Sequence, residues 1–217
     1  MTSYFEINYF KRLAKINYIL LVIYISISIT AHIIANRLSL IDGYPIISAG
    51  YIYMACYVLT DIFACFNSRR LVILLIFLEA VANIIFIVIT NIINSMPYPS
   101  FFHHAQAYRT VFSPILVLYF ANLIGTFVAS VIDLYIFYYL YRVKRWCFTI
   151  ASLTSSVFTL TLYTYITDYF GFRGSFPLHV WQITNINVIT NFMTLVIYTL
   201  MAQILVFYLH KILNKTP

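Results

Sequence analysis

Three acidic residues, Asp61, Glu79 and Asp133, sit inside long apolar stretches, eight or nine residues from the nearest basic cluster. That cluster is Arg69-Arg70 for the first two and Arg142 for the third. At a helical rise of about 1.5 Å per residue, each acid falls at a depth of roughly 12–14 Å from one face of a lipid bilayer. No Lys or Arg falls at that depth to pair with them. A charged side chain there costs about 2.5–3.5 kcal/mol on insertion scales, so it faces a bundle interior, a water-filled cavity or the path of a polar solute. Two kinds of chemistry follow. A carboxylate can accept N–H groups from a solute, or it can bind a coupling proton. Asp133 is the candidate for solute contact, and Asp61 and Glu79 are the candidates for ion coupling.

The acids are not isolated. Asn122, Gly125, Thr126, Ala129 and Asp133 recur at i, i+3, i+4, i+7 and i+11, which is one helical face. Small residues let helices approach closely, so this stripe reads as a packing seam that ends on a carboxylate. Thr184, Asn187, Asn191, Thr194 and Tyr198 form a second face near the C-terminus. Its two asparagines, one turn apart, offer donors and acceptors to a neutral heterocycle or to a neighbouring helix. The run from Thr149 to Thr164 is rich in hydroxyls, many of which bond back to their own helix. Ser152, Ser156 and Thr159 share a face there. The candidate solute contacts are therefore Asp133, Asn187, Asn191, Asn122 and Ser156.

The elements that carry these residues are membrane helices. Hydrophobic residues make up 63% of the 217, charged residues only 9%, and the mean hydropathy is +0.90. A soluble domain carries about 25% charged residues. Six apolar runs are long enough to span hydrocarbon: Ile16–Ile34, Pro45–Asn67, Leu71–Ile93, Phe112–Tyr141, Phe148–Phe170 and Thr184–Leu213. The expected fold is an all-α integral membrane protein with six transmembrane helices in one domain, residues 1–217.

Six spans put Lys11, Arg12, Lys15, Arg69, Arg70, Arg142, Lys144, Arg145, Lys211 and Lys215 on one side. Only Arg37, Arg109 and Arg173 fall on the other. That asymmetry makes both termini cytoplasmic. The net charge of +7 is then a matter of topology and calls for no nucleic-acid partner. The first apolar run follows basic residues but is about 20 residues long and lacks a small-residue cleavage site, so it reads as a retained span.

The rest of the sequence narrows the chemistry further. Cys56, Cys65 and Cys147 fall in spans or on the reducing side, which argues against a disulfide framework. His103-His104 lies in an aromatic loop and has no metal-ligand spacing around it, so no metal or other cofactor is expected. That loop, roughly Asn94–Val111, reads as an external cap. Gly171-Phe172-Arg173-Gly174 and Pro177 mark a second external turn. No phosphate-binding glycine motif is present, so energy for active transport would come from an ion gradient or from separate ATPase subunits. No Ser–His or His–Glu pair has catalytic spacing, which points away from an enzyme.

Several of these features together resemble the queuosine precursor transporter family, also called vitamin-uptake-like (VUT) transporters. The carriers of the resemblance are Leu59-Thr60-Asp61, the following Arg69-Arg70, and the run Ala129-Ser130-Val131-Ile132-Asp133-Leu134-Tyr135-Ile136-Phe137. Tyr141-Arg142-Val143-Lys144-Arg145-Trp146 resembles the basic-aromatic turn of that family, and the likeness runs in order from about Asn36 to Lys211. Where related proteins can carry an acid and a Lys one turn apart, this chain has Asn187 and Asn191. Losing both charges together is electrostatically consistent, since a lone buried charge is worse than a neutral pair.

The resemblance implies uptake, across the bacterial inner membrane, of 7-deazaguanine precursors of queuosine for tRNA modification, such as preQ0 or preQ1. Asp133, Asn187 and Asn191 would bind the edges of the ligand and tyrosines its faces. The alternative it implies is a substrate-binding membrane subunit of an energy-coupled vitamin or nucleobase importer, with ATPase partners. A ligand-free assembly protein is a third reading. A homodimer is compatible with the sequence but is not demanded by any motif.

Overall fold

The computed structural model describes residues 4–35, 37–41, 43–173 and 177–214, without the side chains of 4–6, 41, 113–124 and 172. Asn36, the Asn122 side chain, Gly174 and Lys215, all named above, lie outside the described residues.

Six helices follow one another: α1 (Tyr4–Ile34), α2 (Gly50–Phe66), α3 (Arg69–Ser95), α4 (Ala105–Tyr138), α5 (Phe148–Phe172) and α6 (Val180–Leu213). A short antiparallel hairpin, β1 (Leu38–Ile41) and β2 (Tyr44–Ile47), joins α1 to α2. Ile7–Ile34, Arg69–Ser95, Gly125–Val143 and Val180–Leu213 are long and apolar enough to cross a membrane. α2 is apolar but has only 17 residues. At about 1.5 Å per residue it is roughly 25 Å long, a little short of a hydrocarbon core of about 30 Å.

Polarity runs from inside to outside in reverse of a soluble fold. Large apolar side chains cover the surface, among them Val22, Phe77, Ile85, Met193, Ile197 and Met201. Buried positions instead include Ser28, Thr60, Asp61, Glu79, Asn83, Asp133, Ser152, Asn187 and Asn191. α2 is the axis of the bundle. It is buried from Tyr53 to Cys65 except at Ala55, and it touches all five other helices. A helix that is apolar all round and buried all round belongs at such a centre.

Polar contacts lace the end of the bundle that carries most of the basic residues. Asn17 and Asn67 exchange amide hydrogen bonds of 2.9 and 3.0 Å, tying α1 to the α2–α3 turn. Arg12 donates to the Ile212 carbonyl at 3.1 Å. α4 ends in a widened π turn, Tyr139–Val143, in which Arg142 donates to the Cys65 carbonyl and lies 3.4 Å from that of Ala64. The last carbonyls of a helix have no intrahelical donor, and Arg142 supplies one to α2. Its guanidinium also lies against the Tyr138 and Tyr141 rings.

The hairpin replaces the expected start of the second span at Pro45. Asp42-Gly43 separates two short apolar runs, the sequence pattern of a two-residue hairpin turn. Gly43 takes φ +83°, which a residue without Cβ adopts at little cost. Ile47 packs on Val180 and Ile183 of α6, so the hairpin is fastened to the head of that helix. The aromatic connection between α3 and α4 shortens to 96–104, with Tyr98 stacked on Phe102 at 5.6 Å.

Candidate functional site

A cavity of about 70 Å³ opens at the end of the bundle opposite the basic one. Each of its walls comes from a helix terminus or from the hairpin. α1 contributes Ala31, His32 and Ala35, and the hairpin and head of α2 contribute Ile47, Ala49, Gly50, Tyr53 and Met54. α5 brings Tyr163, Thr164, Thr167 and Asp168, and α6 brings Asn187 and Asn191.

The polar chemistry of the cavity converges on one wall. Asn187 Nδ2 donates to Asp168 Oδ2 at 2.9 Å, across the α5–α6 interface. This bond fixes the amide so that Asn187 Oδ1 turns away from the carboxylate, and no donor meets that oxygen. Asn191 Nδ2 approaches Thr164 Oγ1 at 3.4 Å, and its Oδ1 is likewise without a donor. Both asparagines are buried, 4% and 3% exposed. Buried amide oxygens are ordinarily satisfied, so two unsatisfied ones beside a carboxylate are a stated demand for N–H or O–H donors.

Gly50 makes that demand sterically possible. A Cβ built on it would collide with Asn191 Oδ1 and lie 3.1 Å from Asn187 Oδ1. The first turn of α2 can therefore press against the two amides only because residue 50 has no side chain. Aromatic rings complete the site. Tyr53 and Tyr163 stack with centroids 6.1 Å apart, and His32 meets Tyr53 edge-on at 6.4 Å. His32 Nδ1 lies 2.8 Å from the Ser28 carbonyl.

The sequence singled out Asn187 and Asn191 but not Asp168, and it grouped the asparagines with Asp133. Asp133 does not line this cavity. It lies nearer the basic end, where Thr159 donates to its Oδ1 at 3.2 Å and Ser155 and Ser156 also face it. Asp61 is its acidic neighbour there and accepts from Ser152 Oγ at 2.5 Å through Oδ2. Ser152, Ser156 and Thr159 therefore do share a face, and it is the face of α5 that meets both carboxyls. The small-residue stripe of α4 packs on α5: a Cβ at Gly125 would stand 3.1 Å from Thr167 Cγ2.

Glu79 occupies a third position, between α1 and α3. Its Oε1 accepts from Ser28 Oγ and, at 2.6 Å, from Asn83 Nδ2. Asn83 Nδ2 also reaches Ser28 Oγ at 2.8 Å. A carboxyl held by two neighbours in this way clamps helices together. Glu79→Gln keeps the acceptor and is expected to leave protein abundance within about twofold. Glu79→Ala strips a buried donor pair of its acceptor, which costs about 1–3 kcal/mol. The expected reading is a clear loss of folded protein in membranes by quantitative immunoblot, and equal abundance of the two variants would contradict the clamp.

Comparison with known proteins adds one match. A family model described as "Putative vitamin uptake transporter" matches residues 48–209, well over half of the chain. No curated protein and no solved structure matches.

Proposed function

The chain belongs to the vitamin uptake transporter family that this match describes, and on that premise we propose that it carries 7-deazaguanine precursors of queuosine, preQ0 or preQ1, into the cell. The cavity beneath the hairpin is the binding site, and it opens outward. This follows from the basic bias at the opposite end, which orients both termini to the cytoplasm of a bacterial cell with six helices crossing its inner membrane.

One observation supports the ligand class above the others. Asp168, Asn187 and Asn191 line the cavity together, and the two amide oxygens, Asn187 Oδ1 and Asn191 Oδ1, have no donor within the protein. Such a surface selects a solute rich in N–H groups. The guanine-like edge of a 7-deazaguanine offers a ring N–H and an exocyclic amine side by side, which a carboxylate can accept as a pair. The heterocycle is flat, and Tyr53 and Tyr163 offer ring faces to it.

The cavity measures about 70 Å³, whereas a pocket that encloses an organic ligand measures about 300–1,000 Å³. Entry of a bicyclic base therefore requires the hairpin roof to lift from α6. Calorimetry on the purified protein tests the reading. preQ0 or preQ1 is expected to bind at least about tenfold more tightly than a pyrimidine vitamin that lacks the N–H pair. Equal or weaker binding of both precursors would remove the assignment.

A further inference from the structure

The Asp61–Asp133 pair does not line the cavity just described, and it leaves buried oxygens without a hydrogen-bond partner. Both side chains are 0% exposed. Each carboxyl has one oxygen bonded to α5, Asp61 Oδ2 to Ser152 and Asp133 Oδ1 to Thr159. The other oxygens, Asp61 Oδ1 and Asp133 Oδ2, form no hydrogen bond of good geometry, although the Ser155 and Ser156 hydroxyls face Asp133. Two more buried groups of the same region, Ser156 Oγ and Tyr57 OH, have no hydrogen-bond partner either.

Among the described residues, the surroundings supply no free counter-charge. α5 brings only hydroxyls to this face, and α6 has no charged residue between Val180 and Leu209. α2 itself adds Tyr57 and Cys65, and α1 adds Tyr24. α3 brings Glu79, which is engaged by Ser28 and Asn83. Arg142 and Tyr141, at the end of α4, stand behind Cys65, and Arg142 is committed to the α2 carbonyls. Two neighbouring carboxylates in a medium of low dielectric cannot both keep their charge without a cation. Neither acid lines the cavity beneath the hairpin. A proton needs no cavity, and a carboxyl O–H is the donor that the orphaned oxygens lack.

We propose that the Asp61–Asp133 pair takes up one proton from the outer side and releases it to the cytoplasm, and that this transfer drives accumulation of the solute. The inference rests on the carrier reading above. The balance is simple: one carboxyl O–H bond forms at the expense of a hydronium ion outside and breaks to water inside, and the solute is chemically unchanged. The geometry shows how the two sites communicate. α5 bears the hydroxyls of the pair (Ser152, Ser156, Thr159) and, one to two turns on, the cavity wall (Tyr163, Thr164, Asp168). Tyr57 also bridges them, since it neighbours Asp133 and its ring meets Tyr163 edge-on at 6.3 Å.

The test uses the full chain in proteoliposomes. An inside-alkaline pH gradient is expected to make the wild-type protein accumulate labelled preQ1, whereas Asp61→Asn and Asp133→Asn only equilibrate it, with solute exchange retained. Accumulation by either variant, loss of exchange together with accumulation in both, or wild-type accumulation indifferent to the pH gradient would overturn the proposal. If the wild-type protein exchanges neither precursor, the substrate reading has failed, and a substrate-free measurement decides the pair. Infrared spectra near neutral pH should show a deuterium-sensitive carboxylic-acid C=O band that Glu79→Gln retains and the Asp61→Asn/Asp133→Asn double variant loses. A band unchanged in the double variant overturns it.

Discussion

Asp168→Ala is expected to abolish precursor uptake while leaving the protein in the membrane. Asp168 is the one acidic or basic residue among the described residues that line the cavity, His32 aside, and it is the partner that fixes Asn187 Nδ2 at 2.9 Å. Removing it takes away a charge-assisted acceptor for the ligand and frees the Asn187 amide to rotate. A hydrogen bond to a charged group contributes about 1.5–3 kcal/mol. The ligand alone should therefore lose between about tenfold and a hundredfold in affinity. Asp168→Asn separates the two roles. It can still accept from Asn187, so Asn187 stays in place, but it cannot accept two N–H groups as a carboxylate does. Uptake should fall at least about tenfold in Asp168→Asn and further in Asp168→Ala. Normal uptake by Asp168→Asn at equal abundance would show that the charge is not read by the solute.

Gly50→Ala should have an effect of similar size, from sterics alone. The added methyl group would overlap Asn191 Oδ1 and crowd Asn187 Oδ1 at 3.1 Å. Either α2 backs away from α6 or both amides turn from the cavity. Overpacking of this kind costs about 1–3 kcal/mol. The expected result is a loss of binding of about tenfold or more, with the protein still folded. The cause can be isolated with a second change. In an Asn191→Ala background the colliding oxygen is gone, so Gly50→Ala should add little to the loss that Asn191→Ala already produces. Such non-additivity is the signature of two residues in contact. Independent, additive losses in binding would place the effect of residue 50 elsewhere.

Much of this arrangement was legible in the sequence, and the failures have physical reasons. Long apolar runs give the helices, because a membrane helix is selected on length and hydrophobicity alone. The face shared by Asn187 and Asn191 was also legible, since i, i+4 spacing is a property of one helix. Spacing within a helix says nothing of the level at which a neighbour meets it, and Asp133 was joined to the asparagines for that reason. The depth count that put the three acids on one level separates them from Asn187, which stands seven residues into α6, near the opposite end.

Asp168 lies five residues from Arg173, and nothing in the sequence distinguishes it from an interfacial acid. Only the fold shows that it is buried, 6% exposed, under α6. Asp42-Gly43 did carry a hairpin signal, but the apolar Pro45-Ile46-Ile47 after it reads equally well as the start of a span. The docking of Ile47 on Val180 and Ile183 is a long-range contact, and no local pattern announces it.

The central claim is that the cavity beneath the hairpin admits a 7-deazaguanine for uptake. The most direct measurement is queuosine in the tRNA of bacteria that cannot make preQ0 and lack their own transporter, grown on low preQ0 or preQ1. This chain is expected to restore queuosine, and Asp168→Asn, present in the membrane at the same level, is not. Absence of queuosine with the wild-type chain inserted, or equal rescue by both, would contradict it.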